Sequence, residues 1–170
     1  MVHRTPMCRI RSVLPVIVVG LVIASSALTA CSRGDFEDRT AQVTADGSSQ
    51  TYQLTSCGLD GTTVFLVGQA PGGKVLQAVV GVEPDHETGV PGSTGLSFGP
   101  PDGTRAAFGS ESWQRRGEPG SPPGRITSAR VRGSRIQATG TTDRVDAQGT
   151  PSPAADPQAF SLDARCDLET

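Results

Sequence analysis

The sequence contains no asparagine, a single lysine (Lys74) beside fourteen arginines, one tryptophan (Trp113) and one tyrosine (Tyr52), and only 4% of its residues are aromatic. Ligand cavities are lined mostly by apolar and aromatic side chains, so a chain this poor in rings has little besides valine with which to build one. Histidine is scarce as well, with His3 and His86 the only two. No G-x-S-x-G elbow, H-E-x-x-H helix, phosphate loop or dinucleotide fingerprint occurs, which removes the common arrangements for nucleophilic, zinc and nucleotide chemistry. An enzyme is not expected, and no cofactor or metal is implied. Long apolar runs are missing too. The longest, residues 13–23 (VLPVIVVGLVI), has eleven residues, against the roughly 20 that a membrane-crossing helix needs.

That short run has the setting of an export signal. Arg4, Arg9 and Arg11 form a positive leader before it, and small residues follow it. The segment ends in Leu28-Thr29-Ala30-Cys31, which resembles the bacterial lipobox at all four positions. Cleavage is therefore expected between Ala30 and Cys31, with diacylglycerol joined to the Cys31 sulfur; an ordinary secretory signal followed by an adventitious cysteine is the alternative. The expected organisation is a lipoprotein signal peptide over 1–30, a lipidated polar tether over 31–42 and one antiparallel β domain over 43–170. A mature chain of this length is enough for one domain with a core and too short for two. Loss of the three leader arginines leaves twelve basic against seventeen acidic residues, a formal charge of −5. Such a domain is not drawn to nucleic acid or to anionic headgroups. Membrane attachment would rest on the covalent lipid, each buried methylene contributing about 0.8 kcal/mol, so that two or more chains anchor stably. The expected location is the extracytoplasmic face of the cell membrane.

Of four cysteines, Cys8 leaves with the signal and Cys31 carries lipid, which leaves Cys57 and Cys166. An isolated pair in a small exported domain most often forms a disulfide. Zinc sites want clustered ligands, and a catalytic thiol wants a nearby base; neither is at hand.

Beyond residue 42 the pattern is short strands between glycine turns. Residues 43–45 and 51–56 suggest a hairpin around Asp46-Gly47, and 62–67 (TTVFLV) reads as a buried strand. Residues 74–82 (KVLQAVVGV) fit both a strand and a helical face, with strand favoured for its valines. Over 84–124 glycine and proline are so frequent that long loops are expected, with short extended pieces near 95–98 and 106–113. A hairpin over 125–142 turns at Gly133-Ser134, which suits a type II′ turn and sets Val131 opposite Ile136 and Ala129 opposite Ala138. Phe160, Leu162 and Ala164 then alternate along a last strand that ends at Cys166. The fold class is all-β and mainly antiparallel: a single small sheet or sandwich with long Gly/Pro-rich loops, stapled by one disulfide.

Two blocks, QLTSCGLDGTTVFLVGQA around Cys57 and GSRIQATGTTDRVDAQGTPSPAADPQAFSLDARC ending at Cys166, are similar to the mycobacterial 19 kDa lipoprotein antigen family. There an early strand pair ends in a cysteine and a glycine hairpin leads into an ITGTATG-like strand. The match is patchy but spans most of the mature chain. The resemblance implies a surface-exposed, acylated, disulfide-bonded antigen without an established catalytic activity. The tether here carries one serine and one threonine rather than a long Thr/Ser-rich stretch, so glycan-dependent adhesion is not implied. Residues 84–124 are also longer and richer in proline and arginine than the family pattern, and no ligand contact transfers to them.

Three features remain as candidates for recognition. Arg130, Arg132 and Arg135, with Arg125 nearby, lie on the polar face of the expected hairpin. They suit either an anionic contact or a solvated face with internal salt bridges, since like charges opposite one another otherwise destabilise. His86 stands among Glu83, Asp85 and Glu87, which reads as a solvated acidic loop in preference to a metal or proton site. Trp113 suits core packing or recognition, core packing being favoured. The functional expectation is a non-enzymatic surface antigen or interaction module, with an envelope glycolipid or host receptor as partner and no nucleic acid. A lipid or glycolipid carrier is the alternative, and it requires an apolar cavity.

Overall fold

The computed structural model describes residues 39–146, 148–152 and 156–166. The expected export signal, the Ala30–Cys31 junction and the expected tether up to residue 38 lie outside the described residues. Nine strands and one short helix follow in order: β1 Thr40–Ala45, β2 Ser48–Asp60, β3 Thr63–Ala70, β4 Lys74–Val82, β5 Gly89–Gly99, β6 Arg105–Phe108, α1 Ser110–Arg115, β7 Arg125–Arg132, β8 Arg135–Arg144 and β9 Gln158–Arg165. All pairings are antiparallel, and they form one sheet in the order β6-β5-β4-β3-β2-β1-β9-β8-β7. A further pairing of β6 with β8, Arg105 to Arg144 and Ala106 to Asp143, joins its ends. The single sheet is thereby a closed eight-stranded barrel, not a two-layered sandwich. Strand β7 lies outside that ring, as the hairpin partner of β8. It rests on the approach to β5 through a bridge between Thr88 and Arg130 and through the Val131 N–H, which donates to the Glu87 carbonyl at 3.1 Å.

The hairpins follow from local chemistry. Asp46 and Gly47 both have positive φ, 50° and 69°, as the two central residues of a type I′ turn require. At the β7–β8 turn Gly133 has φ 55° while Ser134 does not adopt the left-handed region, in keeping with type II′. The pairs Val131–Ile136 and Ala129–Ala138 stand opposite one another as expected. Alternation sends one face of each strand inward. Val43, Tyr52, Leu54, Val64, Leu66, Leu76, Ala78, Val80, Leu96, Phe98, Ile136, Phe160 and Leu162 meet in one buried cluster.

Several boundaries differ from the sequence expectations, β2 among them, which spans Ser48–Asp60 instead of 51–56. Strand β1 begins at Thr40, so Thr40, Ala41 and Gln42 belong to the barrel and not to the tether; Ala41 is fully buried, but an alanine adds little to an apolar pattern. Strand β3 runs to Ala70 and β8 to Arg144, each past its expected end. Strand β5 has eleven residues where only a short piece near 95–98 was expected. Its glycines mark close approaches: a Cβ on Gly95 would run into the Phe108 ring, and one on Gly89 into the backbone of Ala129. Residues 106–113 are not one extended piece, because the chain turns at Gly109 into α1. There Trp113 is buried, with its ring 5.4 Å from that of Phe108 and its indole N–H donating to the Gly120 carbonyl.

Candidate functional site

Strand direction divides the barrel into two unlike ends. At one, β1 begins, β9 runs out and the disulfide between Cys57 and Cys166 joins β2 to the residue after β9, with 5.7 Å between the Cα atoms. Cys166 is buried, and its N–H donates to the Ser134 carbonyl at 2.7 Å. This bridge is the one the sequence led us to expect. At the other end β1, β3, β5 and β8 finish while β2, β4, β6 and β9 start, and a cleft of about 310 Å³ opens between them.

The walls of that cleft are set by parity. Gln50 precedes Tyr52 and Leu54 on the inward face of β2, and Lys74 precedes Leu76 and Ala78 on that of β4. Arg105 stands opposite the inward Phe98, Arg144 continues the series of Ile136, Ala138 and Thr142, and Gln158 precedes Phe160. Two amides and three cations therefore occupy the last inward position before the barrel opens. Val43, Tyr52 and Phe98 form the floor beneath them. Burial pushes the Tyr52 phenol upward from its ordinary pKa, partly offset by a hydrogen bond with the backbone of Gly99 at the rim.

The charges at the mouth are unequally satisfied. Arg105, whose side chain is 11% exposed, reaches the Asp156 carbonyl at 3.0 Å and its carboxylate at 2.7 Å. Arg144 lies 3.7 Å from the same carboxylate. The two arginines face each other across the closing seam, an arrangement that repels, and Asp156 offsets it. Asp156 is itself held by its N–H, which donates to the Asp143 carboxylate at 2.7 Å. Lys74 has no acidic partner among the described residues; its ammonium donates to the Gln50 side-chain oxygen at 2.7 Å. The arrangement is suited to holding a negatively charged group. Among the described residues there is no cluster of histidine, cysteine and carboxylates fit for a metal ion.

The residues singled out from the sequence lie elsewhere. Arg130 and Arg132 are exposed on the outer face of β7. Arg135 forks onto Asp163 of β9, with Nε 2.9 Å from Oδ1 and Nη2 against Oδ2, while Gln137 donates to the same carboxylate. That carboxylate raises the Arg135 pKa above its usual value. Arg132 stands directly opposite Arg135, and Arg130 opposite Gln137, so the three hairpin arginines share one exposed face, on which Arg135 is paired with Asp163. Asp85 uses its carboxylate on its own loop, accepting from the N–H groups of Glu87 and Thr88 and from the Thr88 hydroxyl. These bonds hold its pKa below the ordinary value. The neighbouring His86 is exposed with φ 58°. The Arg116 guanidinium sits 5.1 Å from the Phe108 ring centroid, beside an outer cleft of about 380 Å³.

No protein-family model matches the chain. No curated protein matches it either.

Sequence reasoning passed over Gln50, Lys74, Arg105, Arg144 and Gln158. The signal that could have found Lys74 was its even spacing from Leu76, Ala78 and Val80, which puts a charge on the apolar face of a strand.

Proposed function

We propose that the chain is a lipid-anchored lipoprotein of the cell envelope that displays its barrel as a non-enzymatic antigen or interaction module on the extracytoplasmic face. The observation that carries this reading is the polarity of the barrel. The chain enters β1 at the disulfide end, and the charged mouth lies at the opposite end. A lipid on Cys31 would hold the disulfide end toward the membrane, with the stretch from Cys31 to Thr40 reaching at most about 30 Å. The mouth would then face outward, toward an envelope glycolipid or a host receptor. The resemblance to the mycobacterial 19 kDa lipoprotein antigen family agrees with this assignment, and the acidic balance of the chain speaks against nucleic acid as a partner.

The carrier reading is less well supported. It needs an apolar hollow, whereas the inward side chains of Leu66, Leu76, Leu96, Ile136 and Leu162 are packed together, each exposed by less than 2%. The anchor is tested by expressing the chain in a mycobacterial host fed labelled palmitate. Label on the wild type and its loss in Cys31→Ala, together with a shift from the detergent phase to the aqueous phase, are expected. A wild type without fatty acid would overturn the proposal.

A further inference from the structure

We propose that the barrel mouth is a binding site for an oxyanion group (phosphate, sulfate or carboxylate) borne on a small polar molecule such as a phosphorylated or acidic sugar. Three cations, Lys74, Arg105 and Arg144, and one carboxylate, Asp46, line the cleft, while Asp156 and Asp143 stand at its border, so the lining itself carries excess positive charge on a chain whose formal charge is −2. A fixed cluster of one sign against the overall charge focuses attraction on ligands of the other. The donors are only partly used. Lys74 has three N–H donors and spends one on Gln50. Arg105 has five and spends two on Asp156. Gln50 and Gln158 add amides on the same inward faces, and the Tyr52 ring closes the bottom.

Size and position narrow the occupant. A volume of about 310 Å³ stands at the lower limit for small-molecule pockets, which run from about 300 to 1,000 Å³, and admits a sugar-sized group. The mouth lies at the end of the barrel away from the entry of the chain into β1, where a polar molecule arriving from solvent reaches it directly. Asp156 has a defined part: its carboxylate stands where a ligand anion would bridge Arg105 and Arg144, so it competes with that anion. This proposal does not depend on lipidation, and its failure would leave the palmitate experiment untouched.

The test uses the chain from Ser32, because the described residues, which begin at Arg39, hold the whole core cluster and both bridging cysteines. Binding of glucose 6-phosphate is followed by calorimetry and by the difference spectrum of Tyr52, the single tyrosine. Glucose, inorganic phosphate and vesicles of phosphatidylcholine with or without phosphatidylinositol are the other arms. Glucose 6-phosphate should bind and glucose should not. Lys74→Met should weaken binding by roughly tenfold or more, the worth of a hydrogen bond to a charged group. Asp156→Asn should strengthen it, and Arg130→Met on the outer face should leave it unchanged. Unaltered melting temperatures would certify that the variants fold. The proposal is overturned if no anion binds, if Lys74→Met binds as the wild type does, or if Arg130→Met abolishes binding. Recruitment to phosphatidylinositol vesicles without binding of the sugar phosphate would overturn the polar occupant in favour of a lipid headgroup.

Discussion

Removing the bridge between Cys57 and Cys166, by the double variant Cys57→Ala/Cys166→Ala, should cost about 5 kcal/mol of stability. The two residues are 109 positions apart. In the chain-entropy relation, a cross-link closing a loop of about that length removes about 16 cal/mol/K from the unfolded ensemble, or about 4.8 kcal/mol at room temperature. A domain of this size has a total stability of about 5 to 15 kcal/mol, so a third or more of it rides on one bond. Each kcal/mol moves the melting temperature of such a domain by about 3 to 5 °C, and the variant should melt about 15 to 20 °C below the wild type. The folded barrel should otherwise persist, because β1 remains paired with both β2 and β9. Calorimetric melting and urea titration of both proteins, each with and without reductant, would measure the difference. Reductant should lower the wild type toward the variant and leave the variant unmoved. A loss below about 1 kcal/mol would refute the reasoning, since it would mean that the unfolded chain gains little freedom when the long loop is opened.

Tyr52 should titrate above its ordinary pKa in the folded protein, burial being the larger cause and the Gly99 hydrogen bond opposing it. Because the folded state holds the proton more tightly, this contribution to stability is complete below the unfolded pKa of about 10 and is lost as pH rises through the folded value. Phenolate absorbance of the sole tyrosine, native against urea-unfolded, reads the difference directly, and Tyr52→Phe should remove that part of the alkaline loss. Gly89→Ala should destabilise by about 1 to 3 kcal/mol, the usual cost of overpacking, because its methyl would meet the Ala129 backbone where β5 passes β7; a neutral result in a urea titration would show that the two strands separate freely there. Asp163→Asn should cost only about 1 kcal/mol or less, and less still in high salt, since its partner Arg135 is 46% exposed on the barrel surface. A larger, salt-insensitive loss would contradict that assignment.

The hairpins were legible because their chemistry is local. Gly133 sits between two runs of alternating polarity, and Phe160, Leu162 and Ala164 mark one face of β9 without ambiguity. Strand β4 was less so, because Val75 and Val79 point outward, 37% and 42% exposed, and apolar residues on both faces blur a period of two into one that a helix also fits. Strand β5 was hidden by its glycines. They reflect what crosses the strand, the Phe108 ring and the Ala129 backbone, which is a property of neighbours distant in sequence. Helix α1 has six residues and no side-chain cap at Gly109, too short for any periodic signal. The charged mouth was illegible for another reason. An arginine at a strand end reads as solvated until the register is known, and Arg105 faces Arg144 only because β6 and β8 close the ring.

The placement of the Cys57–Cys166 bridge has a mechanical consequence. If the barrel is held at its entering chain and gripped at its mouth, tension runs along β1, which lies between β2 and β9 with ladders on both flanks. That geometry loads the two ladders in shear, so their hydrogen bonds share the pull instead of unzipping one after another. The disulfide locks β2 to the chain beyond β9 at the loaded end, so the slot that grips β1 cannot spread.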